Sequence, residues 1–185
     1  WINEHELKRP DIIVFTNGIP LVVIELKTAT NEDVPLMDAY NQLQRYKNVS
    51  IPTLFKYNEF LVISDGCTAK AGTITSNYQR FSDWKKVNEN DAVTENMETH
   101  TTLFYGMFPK ERLLDLILNY IMYNDDHKIL PQYHQYFGVE KAIKSTMTRG
   151  KQTGKAGILW HTQGSGKSFS MVFYAANMIK ILKNP

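Results

Sequence analysis

The stretch PDIIVFTNGIPLVVIELK, residues 10–27, limits the possible folds of this chain more than any other. Two β-branched runs, residues 11–16 and 21–26, flank Asn17-Gly18, which is a strong signal for a β-hairpin. Residues i and i+2 of a strand share a face, so Glu25 and Lys27 point the same way and Leu26 points into the opposite layer. A carboxylate and an ammonium at the end of an apolar strand indicate a functional site.

The pairing of the two strands determines whether Asp11 can join Glu25. With a two-residue loop, Asp11 lies opposite Ile24 and faces away from Glu25. With a three-residue loop or a bulge, Asp11 lies opposite Glu25. Pro20 lacks an N–H and can cause a bulge. A shared site therefore predicts an irregular hairpin, and a plain two-residue turn would count against it.

Asp11, Glu25 and Lys27 have the residue types of a metal-dependent phosphodiesterase site. Two carboxylates can bind one or two Mg²⁺ ions together with a backbone carbonyl, here that of Leu26. The metal would lower the pKa of a water molecule and neutralise charge on the scissile phosphate, while Lys27 would orient that water or stabilise the charge. Glu-x-Lys alone is a weak signal because it occurs by chance in most proteins. The structural alternative is an edge strand that carries a salt bridge.

Composition gives only broad limits. The chain has 185 residues, of which 43% are hydrophobic and 22% charged, so it can bury a real core. Its net charge of +2 and lack of a basic run mean that a DNA site must come from local clustering. A single cysteine, short apolar runs and no signal-peptide pattern favour a cytoplasmic protein with no membrane segment. The first residue is not Met, and the final helix should lead into a further strand, so we expect an internal fragment.

A helix is predicted within residues 30–48, after the Glu-x-Lys strand. Its apolar or aromatic residues have helical spacing: Leu36, Met37, Tyr40, Leu43 and Tyr46. Residues 31–33 supply capping groups and negative charge at its start. Gln42 and Tyr46 are i, i+4 neighbours, so the helix can place both beside the strand-end site. The alternative is an ordinary pair of one surface and one core residue.

Further elements follow from periodicity and turn signals. Strands are predicted at residues 60–64, 69–75 and 156–161, and helices at 110–123, 132–148 and 168–182. The buried stripe of the helix at 110–123 is predicted to be Leu113, Leu114, Ile117, Leu118, Ile121 and Met122. The polar stretch 76–102 is expected to be irregular, with one short helix, and to serve as a connector.

A glycine loop lies between the strand predicted at 156–161 and the last helix, which is the context that a phosphate-binding loop requires. The loop consists of Thr162, Gln163, Gly164, Ser165, Gly166, Lys167 and Ser168. Its glycines let backbone N–H groups surround phosphate oxygens, and the helix start adds its positive dipole end. Lys167 would reach the β- and γ-phosphates of ATP, and the Ser168 hydroxyl would hold Mg²⁺. The alternative is a glycine-rich turn that binds no ligand.

Taken together, several blocks resemble the restriction (R) subunit of type I restriction-modification enzymes. These blocks are RPDIIVFTNGIPLVVIELK, AYNQLQRYK, LFKYNEFLVISDG, RFSDWKK and HTQGSGKSFSM, in that order, over nearly the whole chain. The resemblance implies an α/β fold, with a restriction-endonuclease-like mixed sheet flanked by helices. A PD-(D/E)xK endonuclease domain would occupy residues 1–125. The beginning of a RecA-like P-loop domain of a superfamily 2 translocase would occupy residues 126–185.

For the nuclease, the resemblance assigns catalysis to Asp11, Glu25 and Lys27, and binding of Mg²⁺ to the two carboxylates. Gln42 and Tyr46 match the family's Gln-x-x-x-Tyr pair, which contacts DNA or supports the site. The nuclease fold often has a further acidic residue on an earlier helix. Glu4 and Glu6 are poor substitutes for it, so we expect that residue upstream of the chain.

For the motor, the resemblance assigns the loop to ATP and assigns Gln135 to the adenine edge. A surface glutamine is the alternative for Gln135. His161 stands where the full nucleotide-loop pattern has Gly or Ala, which matches the looser superfamily 2 form. The other ATPase motifs are absent from the chain, so we expect it to bind ATP weakly at best and not to hydrolyse it.

The resemblance also implies partners and a reaction. Such a subunit cleaves unmethylated foreign double-stranded DNA at distant positions after ATP-driven translocation, with Mg²⁺ and ATP as cofactors. It works in a complex with methylation (M) and specificity (S) subunits. Two rival interpretations stay open. One is a DNA translocase whose nuclease fold is inactive and only clamps DNA, and the other is a scaffold without activity.

Overall fold

The computed structural model describes residues 2–3, 6–28, 35–94 and 99–183, so Glu4 and the predicted capping residues 31–33 lie outside the described residues. The strands are β1 (Ile2–Asn3), β2 (Glu6–Leu7), β3 (Ile12–Thr16), β4 (Ile19–Leu26), β5 (Phe60–Ser64), β6 (Ala69–Gly72), β7 (Met122–Asn124) and β8 (His127–Ile129). The α-helices are α1 (Pro35–Arg45), α2 (Thr99–Met107), α3 (Lys110–Asp115), α4 (Tyr133–Ser145), α5 (Lys151–Thr153) and α6 (Lys167–Lys183). Short π-helical or 3₁₀ segments cover Tyr46–Ser50, Pro52–Phe55, Tyr78–Arg80, Leu116–Tyr120 and Thr146–Gly150.

The predicted hairpin is present, and it is irregular. Asn17 and Gly18 both have positive φ values, 51° and 83°, as a tight two-residue hairpin turn requires. The pairing then skips one residue of β4, because the partners are Phe15–Pro20 and next Val14–Val22. Leu21 is thus the extra residue of a bulge. The predicted irregularity is confirmed, and continuing the pairing beyond Ile12–Ile24 places Asp11 opposite Glu25.

The hairpin belongs to a four-stranded sheet with the order β3-β4-β5-β6. β4 and β5 are parallel, and the other two pairs are antiparallel. Parallel neighbours need a long crossover, which here runs through α1 and the helical turns after it. The mixed sheet flanked by helices is therefore confirmed, although β6 ends at Gly72 and not at residue 75.

The two faces of this sheet contribute to different parts of the core. On one face, Val23, Leu61 and Ile63 pack in a cluster with Leu43 of α1 and with Tyr46. Glu25 follows Val23 on this face by strand alternation. The side chains of the other face point into a larger cluster: Val22, Ile24, Phe60 and Val62, together with Leu103, Leu116, Tyr120, Tyr136, Val139 and Phe173. The predicted boundary at residue 125 stays a prediction, and this larger cluster contains residues from both sides of it.

The predicted irregular stretch 76–102 is irregular up to residue 94, apart from the 3₁₀ turn Tyr78–Arg80, but residues 99–102 already belong to α2. The described part of it is also not a loose connector. Phe81 is 4% exposed and Trp84 is 2% exposed, and each belongs to a core cluster. The Trp84 ring lies 5.8 Å from the ring of Tyr136 in α4. The polar composition of the segment does not reveal these two buried aromatic residues, although they hold it against the core.

The predicted helix at 110–123 ends early, at Tyr120, and residues from Met122 onward form the hairpin β7–β8. Its buried stripe also differs from the prediction. Leu116 and Tyr120 are fully buried, whereas Leu114 and Leu118 are 45% and 67% exposed. Leucines occur on several sides of this helix, so packing against Tyr136 and Phe173, and not periodicity, selects the buried side.

The strand predicted at 156–161 is wrong. These residues form no β-pairing with any described residue, and Ile158 and Trp160 are 96% and 83% exposed. A strand requires a hydrogen-bonding neighbour, and the described residues offer none here. The two helices around this segment form as predicted. α4 occupies most of the predicted range 132–148, and α6 covers the predicted range 168–182. Within the described ranges, no helix has the length and apolar character needed to cross a membrane.

Candidate functional site

Asp11, Glu25 and Lys27 meet where β3 begins and β4 ends. The Asp11 carboxylate accepts a 2.8 Å hydrogen bond from the backbone N–H of Leu26. Lys27 Nζ donates a hydrogen bond to Glu25 Oε1 at 2.8 Å. The backbone N–H of Lys27 continues the pairing with β5 by bonding to the Ser64 carbonyl. The backbone of both strands therefore holds the three charged residues in one place.

Glu25 is the buried member of this group. Its side chain is 3% exposed, and Oε2 is buried with no hydrogen-bond partner among the described residues. Burial raises the pKa of Glu25, the hydrogen bond from Lys27 acts against that rise, and the nearby charge of Asp11 adds to it. A carboxylate with one unpaired buried oxygen is costly unless a cation or a proton satisfies it.

Lys27 is partly exposed, with 35% of its side chain accessible. Burial alone would lower the pKa of Lys27, but the hydrogen bond and charge of Glu25, followed by the charge of Asp11, outweigh it and raise that pKa. Lys27 therefore stays an ammonium at neutral pH. It can offer positive charge and N–H donors to a ligand beside Glu25.

Asp11 and Glu25 fit a divalent cation through carboxylate oxygens, which are the ligands that Mg²⁺ prefers. The unpartnered Glu25 Oε2 is the observation that fits best, because a bound cation would satisfy it. Among the described residues, no group of three or more His, Cys, Asp or Glu could hold a metal ion. Such a cation would therefore need further oxygen ligands from the backbone, water or substrate. The role of the Leu26 carbonyl stays a prediction.

The helix after β4 does bring Tyr46 to this site. The Tyr46 side chain is buried, and its hydroxyl donates a 3.4 Å hydrogen bond to the Arg9 carbonyl. Tyr46 is also close enough to Lys27 to contribute to the raised pKa of that lysine. Gln42 lies one turn earlier and is half-buried, and its side chain has no hydrogen-bond partner in the described part of the chain. Its amide is therefore free to contact a ligand.

The second candidate site is the glycine loop before α6. Gly164 and Gly166 have φ values of 80° and 72°, which only glycine adopts without strain. Lys167 is the first residue of the 17-residue helix α6. Lys167 Nζ donates to the carbonyls of His161 at 3.0 Å and Thr162 at 2.8 Å. The lysine thus folds back over its own loop, where a phosphate could replace these carbonyls.

Two residues of α4 hold this loop through contacts with its backbone carbonyls. Gln135 is 4% exposed, and its Nε2 donates to the carbonyls of Ser165 at 3.3 Å and Gly166 at 3.0 Å. His134 Nε2 lies 3.1 Å from the same Ser165 carbonyl. Thr162, Gln163 and Ser168 are exposed at the loop surface. The adenine-reading role of Gln135 stays a prediction, and in this structure its amide holds the loop.

His161 is the residue that departs from the full nucleotide-loop pattern, and it packs against His134 of α4. Its ring lies 5.2 Å from the ring of His134. Burial lowers the pKa of His161, and the charges of His134 and Lys167 lower it further. A neutral imidazole is therefore favoured next to Lys167. Sequence reasoning missed the contribution of His134, and no local signal could show it because His134 lies about thirty positions before the loop.

The described fold is thus a mixed α/β domain with an acidic pair and a lysine at a strand end, joined to a glycine loop that starts a long helix. A family model described as the type I restriction enzyme R protein N terminus matches residues 1–80. Another, described as SWI2/SNF2 ATPase, matches residues 134–185.

Curated relatives agree with the first of these matches. The chain is 42% identical, over 95% of its length, to the type I restriction enzyme HindI endonuclease subunit of Haemophilus influenzae. It is 34% identical, over 94% of its length, to the putative type I restriction enzyme MjaIXP endonuclease subunit of Methanocaldococcus jannaschii. The chain is thus similar to type I restriction enzyme endonuclease subunits over nearly its whole length. It spans 18% of the length of each of these two relatives.

Proposed function

We propose that this chain is the DNA-cutting part of a type I restriction endonuclease subunit, together with the start of its ATP-driven motor. The reaction would be Mg²⁺-dependent hydrolysis of phosphodiester bonds in unmethylated foreign double-stranded DNA. Similarity to type I restriction enzyme endonuclease subunits supports the reaction class. The unpartnered, buried Oε2 of Glu25 beside Asp11 and Lys27 is the observation that carries the site.

In this proposal, Asp11 and Glu25 hold the divalent cation. When bound, the cation activates water and offsets negative charge on the scissile phosphate. Glu25 is held in place because Lys27 Nζ bonds to its Oε1, which leaves Oε2 for the cation. The Lys27 ammonium orients the attacking water or stabilises charge that builds up on the phosphate.

Gln42 and Tyr46 would support the nuclease site from α1 and the turn after it. Tyr46 is buried and bonds to the backbone of Arg9, so it would hold the chain just before Asp11. Gln42 has a free amide and would contact DNA. The two residues therefore have different expected roles, positioning for Tyr46 and binding for Gln42.

The motor part would use the loop from Thr162 to Ser168 for ATP and its Mg²⁺. Lys167 would exchange its loop carbonyls for the β- and γ-phosphates, and the exposed Ser168 hydroxyl would bind the ion. The remaining motor and the M and S subunits would supply hydrolysis, translocation and DNA recognition. The match of residues 134–185 to an ATPase family model supports this part.

The decisive experiment is plasmid cleavage by the full-length subunit in its complex, with Mg²⁺ or Mn²⁺ and ATP. We expect Lys27→Ala to reduce cleavage by a factor of about 100 or more while ATP hydrolysis continues. Lys56→Ala, which changes an exposed lysine of the same half, is the matched control and should cleave normally. Lys167→Ala should abolish ATP hydrolysis.

The alternatives give different results in the same assay. If Lys27→Ala cleaves like the unchanged protein while Lys167→Ala stops ATP hydrolysis, the chain belongs to a translocase whose nuclease fold only clamps DNA. If ATP hydrolysis also survives Lys167→Ala, the motor assignment is wrong. If both variants behave like the unchanged protein, the chain is a scaffold and the salt bridge between Lys27 and Glu25 is only structural.

A further inference from the structure

Arg9 adds a second positive charge to the site at the strand ends. Continuing the register of β3 and β4 beyond their last pair places Asp11 opposite Glu25. Two residues further out, the same register places Arg9 opposite Lys27. Directly opposed residues share a face of the sheet, so the two cations lie next to the two carboxylates on one surface.

Two hydrogen bonds hold the backbone around Arg9 in this position. The Asp11 carboxylate accepts from the backbone N–H of Leu26 at 2.8 Å. The hydroxyl of the buried Tyr46 donates to the carbonyl of Arg9 at 3.4 Å. Arg9 also precedes Pro10, and a residue before proline favours the extended conformation that a continued strand requires. The chain is therefore held beside the end of β4 as far as Arg9.

The guanidinium group of Arg9 is not committed to another part of the protein. Its side chain is exposed and makes no ion pair or hydrogen bond with any described residue. Lys27 is instead bound to Glu25 at 2.8 Å. Lys47, which follows Tyr46, donates to the Ile74 carbonyl at 2.9 Å. Arg9 can therefore offer all of its donors to a ligand at this surface.

The pairing of Arg9 with Lys27 does not help the fold. Directly opposed residues have Cβ atoms about 4.5–5.5 Å apart, and like charges at that separation destabilise a sheet. A local arrangement that costs stability is expected where a ligand provides the compensation. Here the compensating ligand must be an anion. A guanidinium group is planar and binds the oxygens of a phosphate through two parallel hydrogen bonds.

We propose that Arg9 binds a backbone phosphate of DNA, next to the phosphate that is cut. This inference rests on the proposed nuclease function. Asp11 and Glu25 with their cation, together with Lys27, would take the scissile phosphate. Arg9 lies further out along the strand, so it takes the neighbouring phosphate. A phosphate contact positions DNA without reading its sequence.

The test is binding of a short DNA duplex by the full-length subunit at several salt concentrations, without a divalent cation so that the DNA stays intact. We expect Arg9→Ala to weaken binding about tenfold and to reduce the slope of log Kd against log salt concentration by about 0.9, the value for one phosphate contact. Arg9→Lys keeps the charge, so it should keep the slope and bind with intermediate affinity. The control Lys110→Ala removes an exposed charge at the start of α3 and should bind normally.

Thermal unfolding distinguishes a DNA contact from a structural role. The melting temperature of Arg9→Ala should be unchanged or higher, because repulsion from Lys27 is removed. A lower melting temperature together with an unchanged salt slope would mean that Arg9 acts on the fold. Unchanged affinity and slope in Arg9→Ala would mean that Arg9 does not bind DNA.

Plasmid cleavage by the full-length subunit in its complex separates this inference from the proposed function. If Lys27→Ala loses cleavage while Arg9→Ala binds and cleaves DNA normally, the nuclease site stands and only the Arg9 contact is wrong. If Lys27→Ala cleaves normally, the nuclease function is wrong. A reduced salt slope in Arg9→Ala would then mean that Arg9 contacts DNA in a fold that only clamps it.

Discussion

The Asp11 carboxylate accepts a 2.8 Å hydrogen bond from the backbone N–H of Leu26, across the two ends of an irregular hairpin. The extra residue Leu21 shifts the pairing by one position and so makes this contact possible. Asp11 is thereby held beside Glu25, whose carboxylate is buried, and near Lys27. One bulge in the backbone thus brings both carboxylates to the same site.

This hydrogen bond allows the charge of Asp11 to be separated from its structural role. Asp11→Asn keeps an oxygen that can accept from Leu26, so we expect the free energy of unfolding to change by less than about 0.5 kcal/mol. DNA cleavage should still fall by a factor of about 100. Asp11→Ala should lose cleavage and also up to about 1 kcal/mol of stability. Urea unfolding and plasmid cleavage check both, and normal cleavage by Asp11→Asn would exclude a metal-binding role.

Cation binding at Glu25 should depend on pH. Its folded-state pKa is raised above the ordinary value of 4.5, mainly by burial. The folded state therefore binds the Glu25 proton more tightly than the unfolded state does. The protonated carboxyl contributes stability below pH 4.5, and this contribution is lost as pH rises through the raised pKa of Glu25. A cation binds the ionised form, so the rise in melting temperature caused by Mg²⁺ or Mn²⁺ should grow with pH over this window.

Glu25→Gln provides the test of this linkage. The variant should show no cation-induced rise, and at neutral pH it should be at least as stable as the unchanged protein without cation, since a buried charge is removed. Glu111→Gln, at an exposed position of α3, should keep the full rise. A rise that is equal at all pH values, or that survives Glu25→Gln, would place the cation elsewhere.

Gly164 and Gly166 form a matched pair for testing the brace under the glycine loop. Both have positive φ, so alanine strains either position by about 1–2 kcal/mol. Only at Gly166 would a Cβ also approach Gln135 Nε2, to 2.3 Å, whereas Gly164 faces open space. We expect Gly166→Ala to weaken binding of a fluorescent ADP more than Gly164→Ala does.

A double-mutant cycle with Gln135→Ala sharpens this prediction. Removing Gln135 removes the clash, so the double variant Gly166→Ala, Gln135→Ala should bind no worse than Gly166→Ala alone. The combination of Gly164→Ala with Gln135→Ala should instead show additive losses. Additive losses in both combinations would mean that an alanine at Gly166 does not act through Gln135.

Trp84 should be essential for joining the segment after β6 to the rest of the core. It is 2% exposed, and its ring lies near those of Tyr136 and Phe137 of α4. Trp84→Ala should lower the free energy of unfolding by about 3–5 kcal/mol, through lost burial and an unfilled cavity. Tyr105→Ala, at a 67% exposed position of α2, should change it by less than about 0.5 kcal/mol. Urea unfolding measures both values, and a similar loss of unfolding free energy in Trp84→Ala and Tyr105→Ala would contradict the anchoring role of Trp84.

Several features could be predicted because they depend on residues close together in the chain. Asn17 and Gly18 specify the turn, since both central positions need positive φ. Alternation places Glu25 on the same side of β4 as Val23 and opposite to Leu26. The helical spacing before Tyr46 correctly indicated a helix that reaches the site. The roles of these site residues in catalysis stay predictions.

Other features could not be predicted because they depend on distant partners. Residues 156–161 have the composition of a strand, but a strand forms only beside another strand. The helix that starts at Lys110 carries leucines on several sides, and Tyr136 and Phe173 select the buried side. The burial of Trp84 is equally invisible in a polar stretch, because its contacts lie in α2 and α4.

The sequence by itself determined the chemistry that is available: a hairpin that ends in Glu-x-Lys, a nearby Asp11, and a Gly-Ser-Gly-Lys-Ser loop before a helix. Turn residues, alternation and helix starts act over a few positions, so local rules suffice for them. Only the tertiary structure decided that the strand pairing shifts at Leu21, that Gln135 holds the glycine loop, and that Arg80 and this loop line one cavity. These are contacts between residues far apart in the chain, and they follow from how the elements pack together.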